Sequence, residues 1–156
     1  MTERYAKMIA DLHLFKGYTL DGAQRILDSG EIKTFSAGDL ILSEGDKATF
    51  VLLVLTGKLQ VFVQRHGRDI VLNDVGPSTI LGELAVLCGI PRSASVRVLE
   101  DSTVLQWDAE AFRHLMLRDV FLSERIFRES LRTLIEKEKS LITSLTEIKT
   151  AATEAN

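Results

Sequence analysis

The spacing of apolar residues divides the chain into three stretches with different periods. Over residues 4–15, Tyr5, Met8, Ile9, Leu12 and Phe15 recur at helical spacing. A second short helix follows, with Ala23, Ile26 and Leu27 on its apolar face. Thr19 or Asp21 is placed to cap its start and Gly30 to end it. From Ile32 to Asp108 the pattern shortens into runs rich in Val, Ile, Leu and Phe: Leu40–Leu42, Phe50–Leu55, Leu59–Val63, Asp69–Leu72 and Thr103–Trp107. Turn residues break them at Ala37-Gly38-Asp39, Glu44-Gly45-Asp46, Thr56-Gly57-Lys58, His66-Gly67-Arg68 and Gly76-Pro77. Many short strands at close spacing predict an antiparallel sandwich or barrel. The alternating run Leu59–Gln64 and the His66-Gly67 turn predict a hairpin with Asp69–Leu72.

After Asp108 the helical period returns and persists to about Ile148. Asp108 suits an N-cap, although Ala111 stands where a capping-box glutamate would be. Asp119 and Ser123 are the candidate breaks, and from Ser123 on the chain holds no Gly or Pro. Phe127, Leu131, Leu134, Leu141, Leu145 and Ile148 form a heptad seam, interrupted once by Glu138 and widened by Ile135 and Ile142. At 1.5 Å per residue, residues 123–149 make a helix about 40 Å long. A helix lying on its own roll would show period 3.6 and need fewer turns, so the seam predicts a parallel homodimer through residues 123–149. Residues 1–122 are expected to form one domain, and residues 150–156 a disordered tail.

Composition adds limits. The chain has 156 residues, 46% hydrophobic and 26% charged, as expected for one globular domain. Its net charge of −3 argues against direct nucleic-acid binding, which draws on a basic surface. The one cysteine, Cys88, permits no internal disulfide and fits a reducing cytosol. Residues 1–14 lack the apolar core of a signal peptide, and the longest apolar run, Phe50–Leu55, is far too short to span a membrane. A cytoplasmic location is expected.

Candidate chemistry gathers in Leu81-Gly82-Glu83-Leu84-Ala85-Val86-Leu87-Cys88-Gly89-Ile90-Pro91-Arg92-Ser93-Ala94. Gly82 allows a sharp strand-to-helix turn. Residues 84–88 suit one helical turn, whose first N–H groups favour an anion. Ala85 is small enough to let a ligand approach the backbone. Arg92 can fork onto two anionic oxygens, Ser93 adds donors, and Ala94 leaves room. Glu83 repels a bare anion, but it suits a ligand that carries a hydroxyl beside its phosphate. A ribose 2′-hydroxyl next to a cyclic phosphate meets that need. Taken singly, these residues would read as an ordinary turn and a solvated arginine; the full set in one short segment favours the binding site.

This run resembles the phosphate-binding cassette of cyclic nucleotide-binding domains, found in catabolite-activator-type regulators, kinase regulatory subunits and nucleotide-gated channels. The resemblance covers roughly residues 10–148, including Ala37–Ile41, Glu44-Gly45-Asp46, Leu55-Thr56-Gly57 and Leu72–Gly76. Leu81 departs from the family's usual aromatic residue. The resemblance implies an α+β fold: an eight-stranded antiparallel, jelly-roll-like β-roll with N-terminal helices, a short cassette helix and a long C-terminal helix. It implies that Glu83 binds ribose, that Arg92 and Ser93 bind the cyclic phosphate, and that Val61 and Val71 line the ribose and base side. It places possible base contacts near Lys137 and Glu138, although Glu138 serves equally to set coiled-coil register. The expected ligand is a cyclic nucleotide, with cAMP favoured over cGMP on family frequency.

The expected function is that of a cyclic nucleotide sensor whose ligand moves the C-terminal helices toward an unidentified protein partner. The alternatives are a piece of a catabolite-activator-type regulator without its helix-turn-helix, and a degenerate dimerisation domain that binds nothing. Catalysis and metal binding are not expected: His13, His66 and His114 are scattered, and Glu83 alone supplies no acid–base pair.

Overall fold

A computed structural model describes residues 2–155. The chain divides into two compact units, one ending at Val120 and the other beginning at Phe121.

The first unit opens with helix α1 (Thr2–Asp11), a 3₁₀ turn (His13–Phe15) and helix α2 (Leu20–Asp28). Of the two expected caps for α2, Thr19 is the one used: its hydroxyl accepts from the Gly22 N–H at 3.0 Å. Ile9, Phe15, Ala23 and Ile26 are buried.

Six strands follow: β1 (Glu31–Phe35), β2 (Leu40–Leu42), β3 (Phe50–Arg65), β4 (Arg68–Val75), β5 (Ile80–Leu81) and β6 (Ser95–Asp108). Helix α3 (Glu83–Cys88) sits between β5 and β6, and helix α4 (Ala109–Arg118) follows β6. Every strand pairing is antiparallel. The path is β1-β6-β3-β4, with β2 added on β6 and β5 on β3. This is the expected α+β roll, built from six strands where eight were implied.

The count is lower because β6 runs unbroken for 14 residues and because Thr56-Gly57-Lys58 is not a turn. It lies inside β3, which runs unbroken for 16 residues. The β3–β6 register shifts there, between Val54 and Leu59, as bulges do. Gly57 has φ +100°, and its Cα faces Ser102 of β6 so closely that a Cβ would overlap the Ser102 side chain. The left-handed glycine thus bends a long strand instead of reversing it. The His66-Gly67 pair does reverse the chain. Its φ values of 55° and 74° make the two-residue turn between β3 and β4.

Strand β3 supplies the centre of the core. Val51 through Leu55 are all buried, the mark of a strand covered on both faces. Leu42, Val54, Leu59, Val96 and Val98 form the cluster inside the roll. Trp107 and Phe112, with ring centroids 5.8 Å apart, join the end of β6 to α4, and Asp108 caps α4 by accepting from the Ala111 N–H at 2.7 Å.

The second unit belongs to helix α5 (Val120–Glu154). It begins before Ser123, and it includes residues 150–154, which were expected to be disordered; Asn156 lies outside the described residues. Thr143, Thr146, Thr150 and Thr153 each donate a hydroxyl proton to the carbonyl four residues earlier, so their polar groups are satisfied within the helix. Leu131, Leu134, Leu141, Leu145 and Ile148 are between 45% and 65% exposed, so the heptad seam is an open apolar stripe.

Candidate functional site

The site is assembled where β5 hands the chain to α3. Gly82 adopts φ +83° and ψ 5°, a left-handed turn that lets the helix start at once from the strand end. The Val86 N–H reaches back to the Gly82 carbonyl at 3.4 Å. Gly89, at φ +66°, ends the helix. Val86 is fully buried and Ala85 nearly so, and these two pin the short helix to the roll, while Leu84 is half-buried.

Arg92 returns under this helix and is only 5% exposed. Its guanidinium donates to the carbonyls of Gly82 at 3.1 Å and Phe50 at 2.6 Å. It also lies over the Phe50 ring, 4.9 Å from the centroid. Its backbone is held from the other side, because the Arg92 N–H donates to the Asp46 carbonyl and the Gly45 N–H to the Arg92 carbonyl, both at 2.9 Å. The Glu44 N–H donates to the Ser95 hydroxyl at 2.9 Å, and the Glu44 carboxylate pairs with Arg65 at 2.8 Å. The Glu44-Gly45-Asp46 segment is therefore a brace for Arg92 as well as a turn.

Burial pulls the Arg92 guanidinium below the usual arginine range, and the fields of Asp46 and Glu83 act in the opposite direction. Guanidinium basicity is high enough that the group stays cationic. A buried cation anchored on neutral carbonyls keeps much of its attraction for an anion, since carbonyl dipoles offset its charge only partly.

The sequence candidates are spread over several elements. Gly82, Glu83, Leu84, Ala85 and Arg92 lie together around the strand-to-helix turn. Ser93 and Ala94 follow Arg92 directly, Ser93 exposed and Ala94 half-buried. Val61 packs against the cluster inside the roll. Val71, in contrast, pairs across the strands with Phe62, while Val61 pairs with Asn73. Leu72 is bulged out between them, and neighbouring residues of β3 point to opposite faces. Val71 therefore falls on the face away from Val61, and it is 49% exposed. Lys137 and Glu138 are exposed on α5, in the second unit.

The residues that hold Arg92 were missed from sequence. Asp46 was read only as part of a turn and Phe50 only as a strand residue. Nothing local marks either as a partner of Arg92, some 45 positions away. Helix α3 has one further anchor: Arg113 of α4 donates to the Val86 carbonyl at 3.0 Å. No cluster of metal-ligating side chains occurs among the described residues. Among those residues no helix is long and apolar enough to cross a membrane.

Comparison with known proteins agrees with this geometry. The family model "Cyclic nucleotide-binding domain" matches residues 32–119. Potassium channel KOR1 of Oryza sativa subsp. japonica is 30% identical over 72% of this chain. A cAMP-dependent protein kinase regulatory subunit of Mycosarcoma maydis is 28% identical over 83% of it. This chain spans 13% and 23%, respectively, of the length of those two relatives. The crystal structure of Thermus thermophilus catabolite activator protein superposes with a TM-score of 0.74 at 26% identity, covering 82% of this chain and 61% of that one.

Proposed function

The chain belongs to the cyclic nucleotide-binding domain family, whose model matches more than half of its length, and from that premise we propose that it is a sensor for a cyclic ribonucleotide, cAMP before cGMP. The observation that carries the proposal is the buried Arg92, fixed by the Gly82 and Phe50 carbonyls beside a helix start. In this reading Arg92 forks onto the cyclic phosphate, and the first N–H groups of α3 and Ser93 add donors. Gly82 and Ala85 let the phosphate approach the backbone. Glu83 accepts from the ribose 2′-hydroxyl, and Val61 with Leu84 offers apolar contact. The preference for cAMP draws support from the kinase subunit whose name specifies it.

Output is proposed to pass through α4. The Arg113 bond to the Val86 carbonyl ties α4 to the cassette helix, so a ligand that repositions α3 also repositions α4. The ligand can shift this equilibrium only by its preference for one state over the other. The exposed seam of α5 supports a parallel homodimer through that helix.

Titration calorimetry with cAMP, cGMP, 5′-AMP and 2′-deoxy-cAMP tests the reading. Saturable binding of a cyclic ribonucleotide, with weaker binding of the deoxy and 5′ analogues, is expected. Arg92→Ala should cost about 2–5 kcal/mol of binding free energy. No binding of either cyclic nucleotide at millimolar concentration, or unchanged affinity in Arg92→Ala, overturns it.

A further inference from the structure

Arg92 has a long, flexible side chain, and a contact that relies on it is only as well defined as its rotamer. Phe50, the first residue of β3, touches the guanidinium twice: through its carbonyl at 2.6 Å and through its ring, with Cζ 4.9 Å from the centroid. The ring is half-buried and packs against the cluster inside the roll, so it is a fixed surface. The carbonyl is fixed as well. Phe50 pairs with Asp108 of β6, and the neighbouring Thr49 carbonyl accepts from the Ala109 N–H at 2.9 Å. Two rigid features of one residue therefore point the same cation toward the α3 turn.

We propose that Phe50 is a positioning residue for the anion contact, its ring holding the Arg92 guanidinium in the orientation the ligand requires. This rests on the reading of Arg92 as the phosphate ligand. A cation within about 6 Å of a ring centroid is attracted by the ring's quadrupole, more strongly where water is excluded. A ligand that finds the guanidinium already oriented loses less side-chain freedom on binding. Phe50 does not itself touch the ligand in this scheme, and its backbone carbonyl is present whatever side chain it carries.

Substitution at Phe50 separates ring from carbonyl. Phe50→Leu keeps the carbonyl and an apolar side chain but removes the ring, while Phe50→Tyr keeps the ring. Both are measured by cAMP calorimetry in the full chain, in the parent and Arg92→Ala backgrounds, with thermal unfolding alongside to confirm that each variant folds. Phe50→Leu is expected to weaken binding roughly three- to thirtyfold in the parent background. Phe50→Tyr should bind as the parent does. In the Arg92→Ala background Phe50→Leu should cause no further loss, because the group it positions is gone. A purely structural role for the ring would instead give the same loss in both backgrounds. Equal losses in both backgrounds, no loss in the parent, or a tyrosine variant as weak as the leucine variant overturns the proposal. If Arg92→Ala itself leaves affinity unchanged, the failure lies in the assignment of Arg92, not in Phe50.

Discussion

Replacing Gly82 with alanine adds one methyl group at the most constrained point of the site, and its cost divides into two parts. Backbone strain comes first: φ +83° lies in the left-handed region, where a Cβ costs about 1–2 kcal/mol. Displacement is the second. The new Cβ would overlap Nη1 of Arg92 and lie 3.2 Å from its Cζ and 3.5 Å from the Phe50 carbonyl oxygen. The guanidinium must move, and it gives up its bond to the Gly82 carbonyl. A hydrogen bond to a charged group is worth about 1.5–3 kcal/mol. The sum, about 2.5–5 kcal/mol, is a large fraction of the stability of a small domain but need not unfold it. Gly38→Ala provides the control. Gly38 has φ +97° and nothing within 4 Å of its would-be Cβ, so it carries the strain without the displacement. Urea unfolding of both variants measures the two parts, and their difference isolates the guanidinium. Gly82→Ala should also weaken cyclic nucleotide binding at least tenfold, whereas Gly38→Ala should not. Equal destabilisation by the two substitutions, or unaltered ligand affinity in Gly82→Ala, would refute this account of how the turn is built.

Two further outcomes are expected. Leu134→Glu combined with Leu141→Glu places charges on the exposed stripe of α5, so light scattering at tens of micromolar should change from a dimer mass to a monomer mass; a monomeric parent would remove the dimer from the scheme. Asp69 accepts from Gln64 at 2.9 Å and from Arg97 at 2.7 Å, and these contacts, Gln64 first, hold its carboxyl below the ordinary value of 3.8. A depressed folded value stabilises the protein fully above about 3.8 and loses that contribution as pH falls below it toward the folded value. The stability advantage of the parent over Asp69→Asn should therefore shrink as pH falls from about 5 to 2, and an advantage independent of pH would show that the charge is irrelevant.

Much of the architecture could be read from local pattern because its causes are local. Thr19 and Asp108 cap their helices as their positions suggest, since capping depends on a few adjacent residues. His66-Gly67 forms the expected hairpin, because both residue types tolerate positive φ. Thr56-Gly57-Lys58 looked like another turn, yet it is a bulge inside β3. A positive-φ glycine is compatible with either outcome, and the close approach of Ser102 on β6 selects the second. The strand faces of Val61 and Val71 could not be read locally for a related reason: a single bulged residue, Leu72, shifts the register and changes which face its neighbours take.

By itself the sequence determined an antiparallel β stretch between helical ones, because apolar period is local, and it singled out Gly82, Glu83 and Arg92 as a candidate cassette, because they lie within one short segment whose residue types are jointly unusual. It likewise determined the apolar stripe of the last helix, whose period depends on no other part of the chain. Only the tertiary structure decided what holds Arg92 in place. Asp46 reaches it through a backbone carbonyl, and Phe50 through a carbonyl as well as its ring; every residue offers a carbonyl, so the carbonyl contacts leave no trace in the sequence. Residue identity cannot mark such a contact; it exists because β3, β5 and the segment before β6 are brought within hydrogen-bonding distance by the fold.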